Sequence, residues 1–562
     1  MGRAVGLIAA LVFTALVVHA QQKSPLVDLK TRAEASGFKS TSTYDDVVTF
    51  MKAAANASPK MVFYTTYGTT TEGRAMPLAI VGTGLKDGSP AAVKASGKLR
   101  VHVQANVHAG EVEGKESSLV LLRELASGLH DDWLRSLVFL ITPDYNADGN
   151  EKMSPTNRGI QNGPINGEGT RANAQGLNIN RDYMKLDTPE AKAFVKLWND
   201  YDPQIGFDLH TSDGSYHGYY LTYSPPLNPD TDPSIMKIMT DEWFPFVTKQ
   251  IKTKYGWDTF YYGNAATPAR GGGGGGGAGR GRGREGAAAG APPMRREPCQ
   301  NVQPPEGVTR EWQTFEHVPR FHNSYVGMRN RFGLLSEAYA YATFEDRIKA
   351  TNRFLEAALD FANQNAAKLK SAIAAADQQR VVGQTLATTA KIKRGGMVDV
   401  LMGEVEPVQN PVSGQTMCNR KDVVRTEQMA DAMWFEPVTS EAVPSAYYVP
   451  ADATKAIDLL RAHGIVLRPV THRVSGVERF TISAINPAQN FEGHAMRKID
   501  GKWEAAADQT VPAGALEVSM TQPLARLAFY LLEPASDDGL VVWNFLDDQL
   551  KDVRTYPILR KQ

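Results

Sequence analysis

Cysteine is scarce: the 562 residues hold two, Cys299 and Cys418. That excludes a disulfide-dense scaffold and a four-cysteine zinc site, so any metal has to be held by histidine and carboxylate. Net charge is lacking as well. Lys and Arg together number 61, as do Asp and Glu, which leaves no overall field to draw the chain to nucleic acid or an anionic bilayer. The one long apolar stretch runs from Ala4 to Val18, short of the roughly 20 residues that span a bilayer. What remains is 42% hydrophobic and 22% charged, a globular composition. Nothing in the spacing decides whether the two cysteines pair.

The ends of that apolar stretch give it a meaning. Arg3 precedes it, and Val18-His19-Ala20 gives way to Gln21-Gln22-Lys23. A charged start, a short apolar core and a small residue before a polar switch predict a signal peptide over 1–20, with export to the periplasm or beyond. No stable membrane insertion is expected once it is removed.

Short β-branched runs alternate with helical patterns from about 99 to 361. Lys98–Ala105 alternates as a strand, Leu119, Leu122, Ala126 and Leu129 recur at helical spacing, and Leu137–Ile141 is a continuous apolar run. Thr188-Pro189-Glu190 is a helix start, Gln204–Leu209 the next strand, Phe332–Ser336 another, and a long helical pattern covers 343–376. This rhythm predicts an α/β fold, a mixed and mostly parallel sheet flanked by helices. Between Arg270 and Arg296 the chain collapses into Gly, Ala and Arg, with seven glycines from Gly271. Six arginines face one glutamate there, but no interleaved aromatic offers a base-stacking platform. A disordered insertion at about 270–298 is expected, and no nucleic-acid partner. After Gln379 the texture turns to Val, Gly, Thr and Pro. The organisation expected is therefore 1–20 leader, 21–378 catalytic, and 379–562 a β-rich region of unknown role whose His463, His472 and His494 show no ligand spacing.

Chemistry gathers at strand ends. His108-Ala-Gly-Glu111 follows the strand that ends near Val107, and Asp208-Leu-His210 closes the strand that starts near Gln204. Open α/β sheets build their sites at such ends. Two histidines and one glutamate leave a fourth zinc position open, as in a catalytic rather than a structural site. His102, Glu113, Glu116, His217, His317 and His322 are expected to serve packing or helix ends.

Taken in order, these motifs resemble the zinc carboxypeptidases of the carboxypeptidase A-like family. The His-x-x-Glu and the later His match its three zinc ligands, here His108, Glu111 and His210. Arg171 and the Asn180-Arg181 pair resemble its segment for oxyanion and terminal-carboxylate binding. Gly333-Leu-Leu-Ser-Glu337 resembles the strand of its catalytic Glu. The resemblance covers about 108–347. It implies one zinc ion, Glu337 as general base, Arg171 as oxyanion partner, Asn180 and Arg181 as the carboxylate grip, and peptide or protein C-termini as substrates. Tyr325 is the candidate for the family's capping Tyr. Glu345 competes with Glu337 but opens a helix, where an acid complements the N-terminal turn. Where the family has Asp two residues before the Asn-Arg pair, this chain has Asn178. Two rivals remain: a zinc amidase or deacylase on cell-wall peptides or N-acyl amino acids, and a non-catalytic binding protein.

Overall fold

The computed structural model describes residues 26, 28–212, 214–267, 298–300, 306–551 and 554–562. The expected leader over 1–20 and the Gly/Arg-rich stretch 270–297 lie outside the described residues.

Ten strands lie between residues 62 and 339: β1 Val62–Thr69, β2 Ala75–Val81, β3 Leu99–Ala105, β4 Leu137–Thr142, β5 Ile205–Ser212, β6 Leu221–Ser224, β7 Thr259–Tyr261, β8 Asn264–Ala266, β9 Glu311–Gln313 and β10 Phe332–Tyr339. Eight of them form one sheet in the order β1-β2-β4-β3-β5-β10-β6-β7. β4, β3, β5 and β10 run parallel, and antiparallel pairs flank this block. The fold is thus mixed α/β. Alternation sorts the two faces. Leu99, Val101 and Val103 of β3, Ile205 and Phe207 of β5, and Phe332 and Leu334 of β10 all join one buried cluster. There they meet the helix Phe344–Gln364, whose Phe354 packs edge-on against Phe207. The opposite face carries the polar set, His102 and Gln104 on β3 and Asp208 and His210 on β5, and in parallel register Glu337 of β10 stands beside His210.

Local signals explain the helices. Thr188 caps Pro189–Tyr201 by accepting from the Ala191 amide, with Pro189 in the first turn where its missing N–H costs nothing. Helix Glu113–Ala126 lies so close to β5 that a Cβ on Gly114 would meet Leu209 Cβ at 2.7 Å. The single long helix expected over 343–376 is two, Phe344–Gln364 and Ala366–Gln378, because the chain leaves helical geometry at Asn365.

Beyond Gln378 strands dominate, as the composition suggested. They do not form a detached unit. The hairpin Met397–Gln409/Thr416–Ala432 extends a sheet that includes β9 and β8. One hydrophobic core joins Trp198 and Tyr325 to Tyr447, Leu460 and Phe529 of the C-terminal region. Cys299 and Cys418 are joined in a disulfide across 119 positions.

Candidate metal centre

Three side chains converge where β3 and β5 end. Donor atoms of His108, Glu111 and His210 lie within 4.8 Å of one another, and each residue is at most 3% exposed. Asn106 at φ +62° turns the chain off β3. The Glu111 amide then donates to His108 O at 2.8 Å, which folds the two ligand candidates onto one side of a tight turn. Gly110 lies between them. A Cβ there would meet Arg158 Cδ at 2.5 Å, so this position is kept clear for the Arg158 guanidinium, which donates to Glu111 Oε1 at 2.9 Å.

The donor set fits a metal ion. Asn178 Oδ1 accepts from the Asn180 amide at 3.1 Å, which identifies it as the oxygen. His108 Nε2, 3.1 Å from the same atom, is therefore the protonated nitrogen, leaving the Nδ1 lone pair facing Glu111 at 2.9 Å. Burial and the neighbouring Arg171 push His108 down to about 3, so the ring is neutral, as a ligand must be. His210 is turned the same way: Nδ1 lies 2.8 Å from Glu111 Oε2 and Nε2 2.8 Å from Asp208 Oδ2. Burial opposes its charge, but Asp208 and Glu111 outweigh that and raise its pKa well above the usual value. Burial likewise works against Glu111, yet Arg158 and the His210 hydrogen bond hold its carboxyl well below the usual range. Both outer ring nitrogens are braced, the arrangement that orients metal-binding histidines. Asp208 is fixed in turn by Gln104, which also donates to the Tyr183 hydroxyl at 2.7 Å.

The other candidates divide. Arg171 points at the ligand turn, 3.2 Å from His108 Nδ1 and 3.5 Å from Glu111 Oε1. Asn180 is buried on a short 3₁₀ turn and its Oδ1 has no partner among the described residues. The Arg181 guanidinium stacks on Phe321 at 4.0 Å and, among the described residues, donates to Asn180 O. Among the described residues no carboxylate lies within 4.0 Å of it. Burial, with Arg171 nearby, pushes it down to about 9 against the pull of Glu316 and Glu492. Glu337 is half-buried and emerges on the face of His210, its register partner. Glu345 pairs with Lys349 at 2.7 Å on an exposed helix start.

Tyr325 corrects an expectation. It is 0% exposed, with its hydroxyl 2.9 Å from His463 Nδ1 and accepting from Arg329 at 3.1 Å. A hydroxyl engaged on both sides in the core has no free face for substrate. Glu113 and Glu116 stand in the first turn of helix Glu113–Ala126, as expected, and also hold other segments: the first pairs with buried Arg347 at 2.6 Å, the second accepts from Thr41 and Ser42. Arg158 is the residue that sequence reasoning missed; it arrives from an irregular loop with no periodic signal.

Residues 47–233 match the zinc carboxypeptidase (peptidase M14) family model, and that segment holds His108, Glu111, Arg171, Asn180, Arg181 and His210. Carboxypeptidase 2 of Trichophyton rubrum is 28% identical over 165 residues, which cover 29% of this chain and 27% of that protein. A probable carboxypeptidase 2 of Arthroderma benhamiae is 27% identical over the same shares. The chain thus spans about a quarter of the length of the curated relatives it matches. Among solved structures, a metallo-carboxypeptidase from Burkholderia cenocepacia aligns over 57% of this chain and 70% of that one, at 17% identity and a TM-score of 0.38.

Proposed function

We propose that the chain is an exported metallocarboxypeptidase that removes residues from peptide C-termini, with one zinc ion held by His108, Glu111 and His210. Zinc in such a site polarises a peptide carbonyl and acidifies water. The chain's own groups do the rest. Glu337, beside His210 on the neighbouring strand, accepts the proton of the attacking water and returns it to the leaving amine. Arg171, already turned toward the ligand side chains, offsets the charge that grows on the carbonyl oxygen. Arg181 and the Asn180 amide grip the substrate's terminal carboxylate. Export agrees with the Cys299–Cys418 disulfide, since such bonds persist in oxidising compartments.

The observation that carries this reading is Arg181. A guanidinium so placed, without a carboxylate partner in the described structure, is a site for an incoming carboxylate, and the planar fork suits that group. The test is Arg181→Ala on paired peptides ending in a free acid or an amide. Loss of a hydrogen bond to a charged group costs about 1.5–3 kcal/mol, or roughly 10- to 100-fold in kcat/KM for the acid. Equal activity on both ends in wild type would turn the reading toward an amidase.

A further inference from the structure

The C-terminal region reaches the metal centre through one hairpin. Val477–Phe491 and His494–Ala506 pair along their length, with Phe491 opposite His494 at the tip and Glu492-Gly493 between them. Glu492 Oε2 accepts from the Asn178 amide at 2.8 Å, across 314 positions of sequence. His494 Nε2 lies 2.8 Å from Asp187 Oδ2, and Lys185 holds that same carboxylate oxygen at 2.6 Å. The hairpin therefore clasps the segment 178–187 at both ends, and between those ends stand Asn180 and Arg181. Asn178 is itself the brace of His108. One tip thus touches the support of a ligand candidate and frames the carboxylate grip.

The turn does not account for Glu492. Two-residue hairpin loops of this kind need positive φ at both positions and favour Asn or Gly there. Glu492 sits at φ +46° and Gly493 at +83°. A glutamate in the left-handed region is strained, and such strain persists where the surroundings hold it. Here the Asn178 amide holds it. Arg320 ties the tip to the residues beneath Arg181: it pairs with Asp538 at 2.9 Å and lies over the Phe491 ring at 5.5 Å, one residue from the Phe321 that carries Arg181.

We infer that this hairpin is a working part of the site, a splint for 178–187, and that Glu492 is a positioning residue acting through Asn178 on His108 and on the Asn180-Arg181 grip. The inference rests on the carboxypeptidase reading for its kinetic arm and on His108 alone for its metal arm. The test uses the full chain as wild type, Glu492→Ala and Glu492→Gln, with three readouts: zinc dissociation constant by chelator competition, KM and kcat on a free-acid peptide, and Tm of the metal-free protein. Residues behind a metal ligand typically change affinity about 10- to 100-fold, and Glu492 stands one step further back. Glu492→Ala is expected to weaken zinc about three- to tenfold and raise KM more than it lowers kcat, with Tm within about 2 °C of wild type. Glu492→Gln keeps an acceptor oxygen and restores most of both. Unchanged zinc affinity and KM in Glu492→Ala would overturn the inference. So would losses that track a fall in Tm and are not rescued by Gln, since those belong to a merely structural hairpin. Wild type that binds zinc yet trims no peptide overturns the reading of function, and the affinity ratio still decides this one.

Discussion

Asp208 Oδ2 lies 2.8 Å from His210 Nε2, a carboxylate under one ligand candidate, whereas the other ligand histidine rests on a neutral amide. A carboxylate raises imidazole basicity more than an amide does, so the two histidines are unequal donors. Asp208→Asn is expected to weaken zinc by about tenfold, and Asn178→Asp to tighten it by a smaller factor. Competition with a chromophoric chelator reads both. Equal affinities across the three proteins would show that the braces only orient the rings.

A second prediction concerns pH and a site far from the metal. Burial pushes the Asp230 carboxyl up to about 7, against the Ala387 amide and Arg526. An unfolded Asp releases its proton near pH 4, so between about 4 and 7 the folded protein holds a proton that the unfolded chain has lost. This group's contribution therefore declines as pH rises through that window. Asp230→Asn mimics the protonated form. Its Tm relative to wild type is expected to climb from pH 4 to pH 8, and a flat difference would contradict this.

The disulfide supplies a third. Cys418 sits where its amide donates to Ile160 O at 2.8 Å, on the loop that delivers Arg158 to Glu111. Closing 119 residues is worth about 5 kcal/mol in a chain-entropy account, and disulfides typically deliver about 2–4 kcal/mol. Cys299→Ser with Cys418→Ser is expected to lower Tm by several degrees. Because Arg158 would be less firmly held, zinc affinity is expected to fall as well, measured under conditions where the protein stays folded. Unchanged Tm would mean that the reduced chain packs as well without the bond.

Part of this was legible in the sequence, for a local reason. His108-x-x-Glu111 follows a strand that alternation reveals, Asp208-Leu-His210 lies near the end of its neighbour, and parallel pairing brings such ends together. Thr188-Pro189 marked a helix start because capping is a matter of three adjacent residues. Tyr325 was misplaced because spacing before Glu337 does not tell which side of a helix meets the core; His322–Met328 is buried throughout. Asn365 broke a pattern whose apolar period runs on without interruption. Arg158 and Glu492 left no signal, since both reach the site through contacts set by packing. Arg158 comes from an irregular loop, and Glu492 from a hairpin that sequence separates from Asn178 by most of the chain.

The most direct test of the account is Glu337→Gln. Glu337 stands beside His210 in parallel strand register. The account predicts that wild type binds one zinc ion and shortens free-acid peptides from the C-terminus. It predicts that Glu337→Gln binds zinc with wild-type affinity and loses at least about 100-fold in kcat, the scale of a general base. A variant that binds zinc and cleaves as fast as wild type would contradict the assignment of the base, and a wild type that binds no zinc would contradict the account as a whole.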